Sequence, residues 1–276
     1  SNAVHVFTFA SKGDAVDSVN LSTVTAYPGE CSNEVRGLVA GNSHPGATNQ
    51  IQFIELSLNS DALDFGDLSY NTLAPSGCAS STRGIFCGGQ PNVNNIEFVT
   101  IMTKGDSKDF GDMTTTREQH MACSNSTRAI FACGQSPTKV NTIDFFMIGT
   151  LGNAMDFGDS TIATDGQASG CNAIRGIYAG GSPAGNDDQK VIEFITMATK
   201  GNATNFGELS VQRSFSAGVS SPTRTVFAGG YTNPAATHTT TMDYINNMTE
   251  GNAVDFGDQS VNRDQMGSFS NAHGGL

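Results

Sequence analysis

Apolar residues recur along this chain in short runs, separated by polar segments rich in Gly, Asn, Ser and Pro. The runs combine branched and aromatic residues, as in Arg128-Ala129-Ile130-Phe131-Ala132 and Ile143-Asp144-Phe145-Phe146, and this composition is typical of β-strands. No segment shows the sustained 3.6-residue apolar period of an amphipathic helix. The pattern therefore predicts an all-β protein.

A short phrase, most complete at residues 251–258 as GNAVDFGD, returns in related forms that end at residues 67, 112, 159 and 208, and in a worn form at residues 12–21. Six register residues mark these copies at steps of 47, 45, 47, 49 and 50 residues: Ser18, Phe65, Phe110, Phe157, Phe206 and Phe256. A fixed period of this size indicates an array of one supersecondary unit, and four short strands per repeat are typical of a propeller blade.

Six repeats predict a six-bladed β-propeller of four-stranded blades, forming one domain over residues 4–276. Residues 4–9 match a third strand and residues 263–270 match a first strand, so we expect the two termini to share one blade and close the ring. Gly274-Gly275-Leu276 stands where the second strand of that blade should begin. The predicted blades are residues 23–67, 68–112, 113–159, 160–208, 209–258, and 259–276 together with 4–22. Residues 1–3 (Ser-Asn-Ala) have the form of an expression-tag remnant and are excluded from function.

The repeat resembles the kelch repeat. The kelch Arg after the fourth strand is matched by Arg117, Arg213 and Arg263, and its Gly pair by residues 88–89, 180–181 and 229–230. The aromatic that follows is matched by Phe98, Phe194 and Tyr244. The Phe residues of the phrase stand where kelch repeats carry Trp, and the chain has no Trp. The resemblance implies a divergent kelch-like propeller and does not by itself imply an activity.

The consensus forms GNAxDFGD and TRGIFAGG, with IEFITMATKG at residues 192–201, are also similar to kelch-like repeat proteins predicted in the genomes of aquatic bacteriophages. This resemblance implies a structural or tail-associated protein of a virion. Localisation in a virion, or in soluble form inside the cell, is the corresponding expectation.

The formal net charge is −12 with only 14 Lys and Arg residues, which argues against nucleic acid as a partner because a phosphate-binding surface needs a basic patch. No apolar run approaches the roughly 18 residues that span a membrane. The six Cys are expected to be small core residues, with one shared position in four successive repeats, rather than a disulfide framework. The four residues assigned to that position are Cys31, Cys78, Cys123 and Cys171.

Catalytic chemistry finds little support in the sequence. The DFG within the phrase recurs without the other kinase motifs, so we interpret its Phe as filling the seam between blades and its flanking Asp as accepting turn N–H groups. The Arg that begins each second strand is expected to pair with an Asp; these residues are Arg36, Arg83, Arg128, Arg175 and Arg224. None of the five His lies in a recognised motif. We therefore predict no catalytic residue, no metal ligand and no cofactor, with calcium on clusters such as Asp61, Asp64 and Asp67 kept as an alternative.

The loops between the second and third strands differ in length and content in every repeat, and they share one face with the connections between blades. Variable loops on a rigid ring are where binding usually resides, although they could also be merely unconstrained. The predicted ligand-binding residues are Arg117, Arg213, Arg263, Tyr70, Tyr231, His44 and His238.

The leading hypothesis is a non-enzymatic binding module that recognises a protein or a surface glycan. Two alternatives stay open: an enzyme of lyase, oxidase or hydrolase type with its site in the central channel, and a purely structural virion component. The sequence does not indicate an oligomeric state.

Overall fold

The computed structural model of the protein describes residues 1–185 and 187–271. The predicted beginning of a second strand at Gly274-Gly275-Leu276 lies outside the described residues. In chain order the strands are β1 (Ala3–Val6), β2 (Val16–Asn20), β3 (Gly29–Ser32), β4 (Arg36–Ala40), β5 (Thr48–Glu55), β6 (Leu63–Thr72), β7 (Ser76–Ala79), β8 (Arg83–Cys87), β9 (Asn95–Thr100), β10 (Lys108–Asp112), β11 (Met121–Ser124), β12 (Arg128–Ala132), β13 (Thr142–Met147), β14 (Met155–Asp159), β15 (Thr164–Asp165), β16 (Ala168–Cys171), β17 (Arg175–Ala179), β18 (Ser182–Pro183), β19 (Val191–Thr196), β20 (Thr204–Glu208), β21 (Ala217–Ser220), β22 (Arg224–Ala228), β23 (Tyr231–Thr232), β24 (Thr237–His238), β25 (Thr241–Asn246) and β26 (Val254–Asp258).

Most strands form five four-stranded antiparallel sheets, which we call blades 1 to 5: β3–β6, β7–β10, β11–β14, β16-β17-β19-β20, and β21-β22-β25-β26. The first strands of successive blades lie next to one another around a central axis, and the fourth strand of each blade is the outermost. This confirms the predicted all-β propeller and gives it five complete blades. None of the described residues forms a helix able to cross a membrane.

The first strands are rich in small residues because they crowd around the axis. A Cβ atom at Gly77 would lie 2.4 Å from the carbonyl oxygen of Glu30 on the neighbouring strand, and one at Gly218 would lie 2.3 Å from that of Ser169. Serine hydroxyls join neighbouring first strands at the same level. Ser169 Oγ, for example, donates to the carbonyl of Ala122 at 2.7 Å.

All six cysteines are buried and free, as the sequence predicted. One alignment was wrong. Three of the residues pair with a Leu or Ile of the second strand: Cys31, Cys78 and Cys123. In blade 4 that position is held by Gly170, and Cys171 lies one residue further along, opposite Gly176. Successive strand residues point to opposite faces, so the Cys171 thiol faces the other seam and donates to the carbonyl of Ser124 at 3.0 Å.

The Phe of the repeated phrase fills the seam between blades, as predicted. Phe157 is only 2% exposed and packs in one cluster with Ile143 and Phe145 of its own blade and with Tyr178 and Met197 of the next. Its ring meets that of Phe145 edge to face at 5.7 Å, a favoured aromatic arrangement. The seam is therefore a hydrophobic contact between consecutive repeats.

The Arg at the start of each second strand also links blades, but not through an Asp. The Arg128 guanidinium lies 5.2 Å from the centre of the Phe145 ring, and its Nη1 donates to the carbonyl of Met197 in the next blade at 2.8 Å. The same pair of contacts recurs from Arg36, Arg83, Arg175 and Arg224. The predicted Arg–Asp pairing was wrong because the third-strand aromatic offers the cation a ring face. In the described part of the chain only Glu55 and Glu250 add a carboxylate contact to these Arg residues.

The outer strands are joined in a belt by the repeated phrase, which we call the outer belt. The N–H of Gly152 donates to the carbonyl of Phe110 at 2.9 Å, the N–H of Ala154 donates to that of Asp112 at 2.8 Å, and Asn153 Oδ1 accepts the N–H of Asp112 at 3.1 Å. The same three bonds recur between the other consecutive blades and from blade 5 to residues 13–15.

The outer belt corrects one sequence interpretation. The accepting side chain is the Asn or Asp that follows the first Gly of the phrase, such as Asn153, and not the Asp that flanks the Phe. The crossing is close, because a Cβ on Gly111 would lie 2.5 Å from the carbonyl oxygen of Gly152. Gly111 also has a φ of +148°, a conformation that favours Gly. The Gly that follows the Phe is therefore what lets the two backbones come into contact.

The N-terminal strands lie between the outer parts of blades 5 and 1. β1 and β2 pair in antiparallel fashion as a two-stranded sheet. On the side of blade 5, Arg224 Nη1 donates to the carbonyl of Phe9 at 2.8 Å. On the side of blade 1, the N–H of Ala62 donates to the carbonyl of Asn20 at 2.8 Å. These contacts repeat those between complete blades.

Residues 267–270 lie beside the first strands of blades 5 and 1. Ser268 Oγ donates to the carbonyl of Gly218 at 2.7 Å, and Ser32 Oγ donates to the carbonyl of Ser270 at 2.9 Å. Between blades 5 and 1, the described part of the chain therefore supplies one inner segment, residues 267–270, and two outer strands, β1 and β2. Each of the five complete blades has four strands.

Six residues close a circle of backbone hydrogen bonds at the end of the axis where the blades are connected. We call it the mouth ring: Tyr27, Ala74, Gln119, Gly166, Phe215 and Gln265. Each N–H donates to the carbonyl of the preceding member at distances from 2.7 to 3.4 Å, and the Tyr27 N–H closes the circle on Gln265 at 3.1 Å. All six have positive φ between 53° and 64°.

Replacing Phe157 by Ala is expected to lower the free energy of unfolding by about 3–5 kcal/mol, because it leaves a cavity in a closed seam. Met155, on the same strand but 51% exposed, supplies the matched control, and Met155→Ala should change stability by less than about 0.5 kcal/mol. Urea denaturation followed by circular dichroism measures both. Equal losses for the two variants would contradict the seam assignment.

Candidate functional site

The mouth ring sits over a small cavity in the central channel, which we call the mouth cavity. Its volume is about 100 Å³. Directly after each ring residue comes one residue that lines the cavity: Pro28, Pro75, His120, Gln167, Ser216 and Met266. The Pro and Met residues make one side apolar. His120, Gln167 and Ser216 follow one another around the axis and make the other side polar.

Three residues that line the mouth cavity carry buried side-chain atoms without hydrogen-bond partners among the described residues. They are both ring nitrogens of His120, Oε1 of Gln167 and Oγ of Ser216. Buried polar groups in native proteins are nearly always satisfied, and each exception calls for an explanation such as a ligand. Three such residues around one cavity make it the candidate ligand site, although the His120 ring itself packs outwards, beside Gly88 and Phe131.

Burial sets the charge state of His120. Desolvation, and secondarily the nearby Arg117 guanidinium, hold the pKa of His120 well below its ordinary value of 6.5. The imidazole is therefore neutral at physiological pH, with one nitrogen that can donate and one that can accept. This neutral ring meets the Phe131 ring edge to face at 5.8 Å.

Glu30 contributes the only carboxyl group among the described residues that line the mouth cavity. Burial raises the pKa of Glu30 from 4.5 to about 8, and a hydrogen bond from the Ser268 backbone opposes the shift. The carboxyl group is therefore mostly protonated at neutral pH and can donate as well as accept.

An aromatic pair stands at the rim of the mouth cavity. Tyr27 and Phe215, both members of the mouth ring, meet edge to face with ring centres 5.7 Å apart. Both side chains are half-buried. Burial, with the charges of Asp264 and Asp165 as lesser causes, raises the pKa of Tyr27 to about 12, so the phenol keeps its proton. The site thus combines aromatic faces with neutral hydrogen-bonding groups.

The loops around the mouth are tied to one another. Lys139 Nζ donates to the carbonyl of Ser182 at 2.6 Å and lies 3.1 Å from an Asp165 carboxylate oxygen. Asp188 accepts the Asn233 N–H at 2.7 Å. Two short two-stranded sheets that the sequence did not predict, β15–β18 and β23–β24, add further pairing here. These contacts tie the loops of blades 3, 4 and 5 to one another.

Two of the predicted ligand-binding residues lie inside the fold. Arg117 bonds to Asp144, and Arg213 Nη2 bonds to Asp243 at 3.0 Å, with all four side chains fully buried. Arg117 Nη1 also donates to the carbonyl of Thr142 at 2.9 Å. These Arg residues attach each blade connection to the third strand, and neither presents an atom to the mouth cavity.

The other predicted residues are dispersed over the loop face. Tyr70 is partly buried, with its hydroxyl donating to the carbonyl of Gly88 at 3.0 Å, and His44 is exposed on a blade 1 loop. The structure does bring Tyr231 and His238 together, with ring centres 5.4 Å apart. Arg263 and His238 line a second cavity beside β1. None of the seven lines the mouth cavity.

The residues that line the mouth cavity were not predicted from the sequence, although they follow the period of the repeat. Members of the mouth ring recur at 47, 45, 47, 49 and 50 residues, the same steps as the register residues of the phrase. The position was overlooked because its residue changes in nearly every copy. A search for positions that keep the period but vary in identity would have found it.

The described residues contain no group of three or more His, Cys, Asp or Glu side chains placed to hold a metal ion. Asp61, from the carboxylate cluster considered for calcium, accepts the Asn20 N–H at 2.8 Å. That contact joins the N-terminal sheet to blade 1.

Replacing Glu30 by Gln should raise stability at high pH. Because the folded-state pKa lies above the unfolded one, wild-type stability is expected to fall as pH rises from about 4.5 to about 8. The gain at pH 8 should be about 1–3 kcal/mol, since one pKa unit corresponds to about 1.4 kcal/mol and the carboxyl is only partly shielded from solvent. Chemical denaturation across this range measures it, with exposed Glu34→Gln as the control that keeps the wild-type slope.

Met266 follows the mouth ring at the place that matches His120. Replacing His120 by Met should change the pH dependence of stability in the opposite direction to Glu30→Gln. A depressed folded-state pKa means that protonation favours unfolding, so wild-type stability is expected to fall as pH drops through about 6.5. The variant should lose this acid sensitivity, while His44→Gln on an exposed loop should retain it. Thermal unfolding between pH 5 and 8 tests this, and an unchanged profile in the Met variant would contradict the buried neutral assignment.

Comparison with known proteins adds no family to this geometry. A scan against protein-family models found no match, and a search of curated proteins found no significant relative.

Proposed function

We propose that the chain is a six-bladed, kelch-like propeller whose sixth blade is shared between its two ends. Support comes from contacts that repeat six times. The outer belt passes from blade 5 to residues 13–15 and from Asn20 to blade 1. The mouth ring has six members, one per repeat. At the kelch Arg position, Arg263 donates to the carbonyl of Ala3 at 3.1 Å, as Arg117 does to that of Thr142 at 2.9 Å.

We further propose that the protein is a non-enzymatic binding module that recognises a surface glycan at the mouth cavity. The carrying observation is the group of unpartnered buried polar atoms on His120, Gln167 and Ser216 beside the Tyr27–Phe215 pair. Sugars have apolar C–H faces that pack on aromatic rings, and hydroxyl groups that bond to polar side chains. Ligand pockets combine aromatic walls with a few such polar groups. A net charge of −12 favours a neutral glycan.

A virion or tail-associated location is the corresponding biological proposal. It is supported by the similarity of the repeat wording to kelch-like proteins of aquatic bacteriophages, and a propeller that binds a host surface glycan suits such a particle. A protein partner on the same face is the other outcome that the binding experiment distinguishes.

The enzyme alternative is favoured by one specific observation. The Glu30 carboxyl, with a pKa of about 8, has the protonation state of a general acid at neutral pH. A hydrolase or lyase that acts on a glycan end would use it. Turnover of a bound glycan that is lost in Glu30→Gln would favour this alternative over simple binding.

The binding experiment is a glycan array with the purified protein and two double variants. We expect wild-type protein to bind a subset of neutral glycans, and Tyr27→Ala/Phe215→Ala to lose at least about tenfold in affinity because both aromatic faces are removed. Leu58→Ala/Leu151→Ala provides the matched control, since these exposed apolar residues lie on the loops between third and fourth strands, at the opposite face. This variant should bind like wild type.

A blank array from folded wild-type protein would contradict glycan recognition, and a pull-down from host cells then separates the remaining readings. Capture of a host protein that depends on Tyr27 and Phe215 would favour the protein partner. No capture would favour the purely structural virion component.

A further inference from the structure

The third strands of blades 2 to 5 each carry an acidic residue whose side chain lies inside the fold. Each is at most 3% exposed, and the four residues are Glu97, Asp144, Glu193 and Asp243. Carboxylates are seldom fully buried unless another group compensates their charge. In blades 3 and 5 the compensating group is a guanidinium, since Arg117 bonds to Asp144 and Arg213 bonds to Asp243.

In blade 4 the place of these Arg residues is held by Thr164. The carbonyl of Thr164 accepts the Gly134 N–H at 2.8 Å, as the carbonyl of Arg117 accepts the Gly89 N–H at 3.0 Å. The two backbones therefore match, but the Thr side chain is much shorter than that of Arg and carries no charge. Among the described residues, the groups bonded to Glu193 are uncharged.

Three buried oxygen atoms near Glu193 make no hydrogen bond of ordinary geometry among the described residues: Thr164 Oγ1, Tyr178 Oη and Gln189 Oε1. Tyr178 lies directly opposite Glu193 on the neighbouring strand. Gln189 Nε2 donates to the carbonyl of Gly180 at 3.0 Å. The matching carbonyl in blade 3 is bonded by the Arg117 guanidinium, so the Gln189 amide reaches the space that a guanidinium fills there.

The Glu193 carboxylate keeps capacity for a further ligand. It accepts the Ser160 hydroxyl at 2.5 Å and the Thr161 N–H at 3.0 Å, which leaves lone pairs on both oxygens. Burial, and secondarily the Glu193 charge, raises the pKa of Tyr178, while the nearby Ser160 hydroxyl opposes the shift. The phenol therefore keeps its proton and presents a neutral oxygen.

Blade 2 has a buried acid at the same position without the open oxygens. Glu97 accepts bonds from Ser69 and from Ser107. The hydroxyls of Tyr70 and Thr72 donate to backbone carbonyls at 3.0 and 3.3 Å. The unpartnered oxygens are therefore a property of blade 4 and not of the repeat.

We propose that blade 4 holds an alkali-metal cation, Na⁺ or K⁺, between the side-chain oxygens of Glu193, Thr164, Tyr178 and Gln189. Oxygen ligands suit hard cations. One carboxylate and three neutral oxygens supply one negative charge, which a monovalent ion balances as the guanidinium does in blades 3 and 5. A divalent ion would leave an unbalanced positive charge in the interior. This inference does not depend on glycan recognition or on the sixth blade.

Thermal unfolding of the whole chain at neutral pH tests the proposal in NaCl, KCl and choline chloride at equal ionic strength. Choline is too large for a site between four side chains, so it controls for screening of surface charges. Because the ion binds only the folded chain, we expect Tm to be higher by at least about 3 °C in one of the alkali salts than in choline chloride. The comparison of NaCl with KCl identifies the ion.

Two single variants separate blade 4 from the other buried acids. Glu193→Gln removes the charge, so its Tm should differ by less than about 1 °C between the alkali and choline salts. Glu97→Gln removes the matching acid of blade 2 and should keep the dependence of the wild-type protein.

A transplant variant keeps the test valid if Glu193→Gln does not fold. It gives blade 4 the side chains that blade 3 carries at the same places, through the substitutions Thr164→Arg, Tyr178→Phe, Gln189→Val and Glu193→Asp. The new guanidinium should replace the ion. We therefore expect this variant to have the same Tm in all three salts.

A crystal structure in the stabilising salt locates the ion. We expect it in contact with the four oxygens, identified for K⁺ by replacement with Rb⁺ and its anomalous signal, and for Na⁺ by contacts shorter than hydrogen bonds. Equal Tm of the wild-type protein in all three salts, an unchanged dependence in the transplant variant, or a water molecule at this place would each overturn the proposal.

Discussion

Closure of a circle is the physical constraint on which this structure depends. A β-sheet has two edges with unpaired backbone groups, and the propeller pairs or covers the edges of each blade through its neighbours. The outer belt does this at the rim, and serine hydroxyls do it at the axis. The mouth ring adds a third circle, in which every N–H meets the carbonyl of the previous repeat. Each bond is modest alone, but opening one junction removes contacts at all three radii.

Circular closure also explains the composition. The axis favours small residues, so the first strands are built mostly from Gly, Ala, Ser and Cys. The rim requires two backbones to cross within contact distance, so the five full copies of the phrase keep the Gly that follows the Phe. Between these limits the seams are filled by Phe, Ile and Tyr and bridged by Arg. The acidic residues that flank the Phe of the phrase lie at the surface, where they contribute to the net charge of −12.

Period and residue type were enough to predict strands and the buried Phe, because these follow from local pattern and from packing that recurs. Partner choice was not predictable in the same way. Arg128 has both an aromatic ring and carboxylates within its sequence repeat, and only the relative placement of blades decides between them. Cys171 was misaligned by one residue, because spacing alone does not fix which face a strand residue occupies. The mouth cavity was missed since its members are drawn from six repeats and share no residue type.

The mouth ring has a consequence for how this protein can change. Its geometry is fixed by main-chain bonds, and the side chains at its six positions already range from none in Gly166 to the phenol of Tyr27. A substitution there meets the same left-handed backbone, at a strain of about 1 kcal/mol for residues other than Gly, Asn or Asp. Single substitutions at these six positions can therefore change the side chains of the mouth ring while its main-chain hydrogen bonds stay the same. Variation between repeats is thus concentrated at positions whose main-chain bonds do not depend on the side chain.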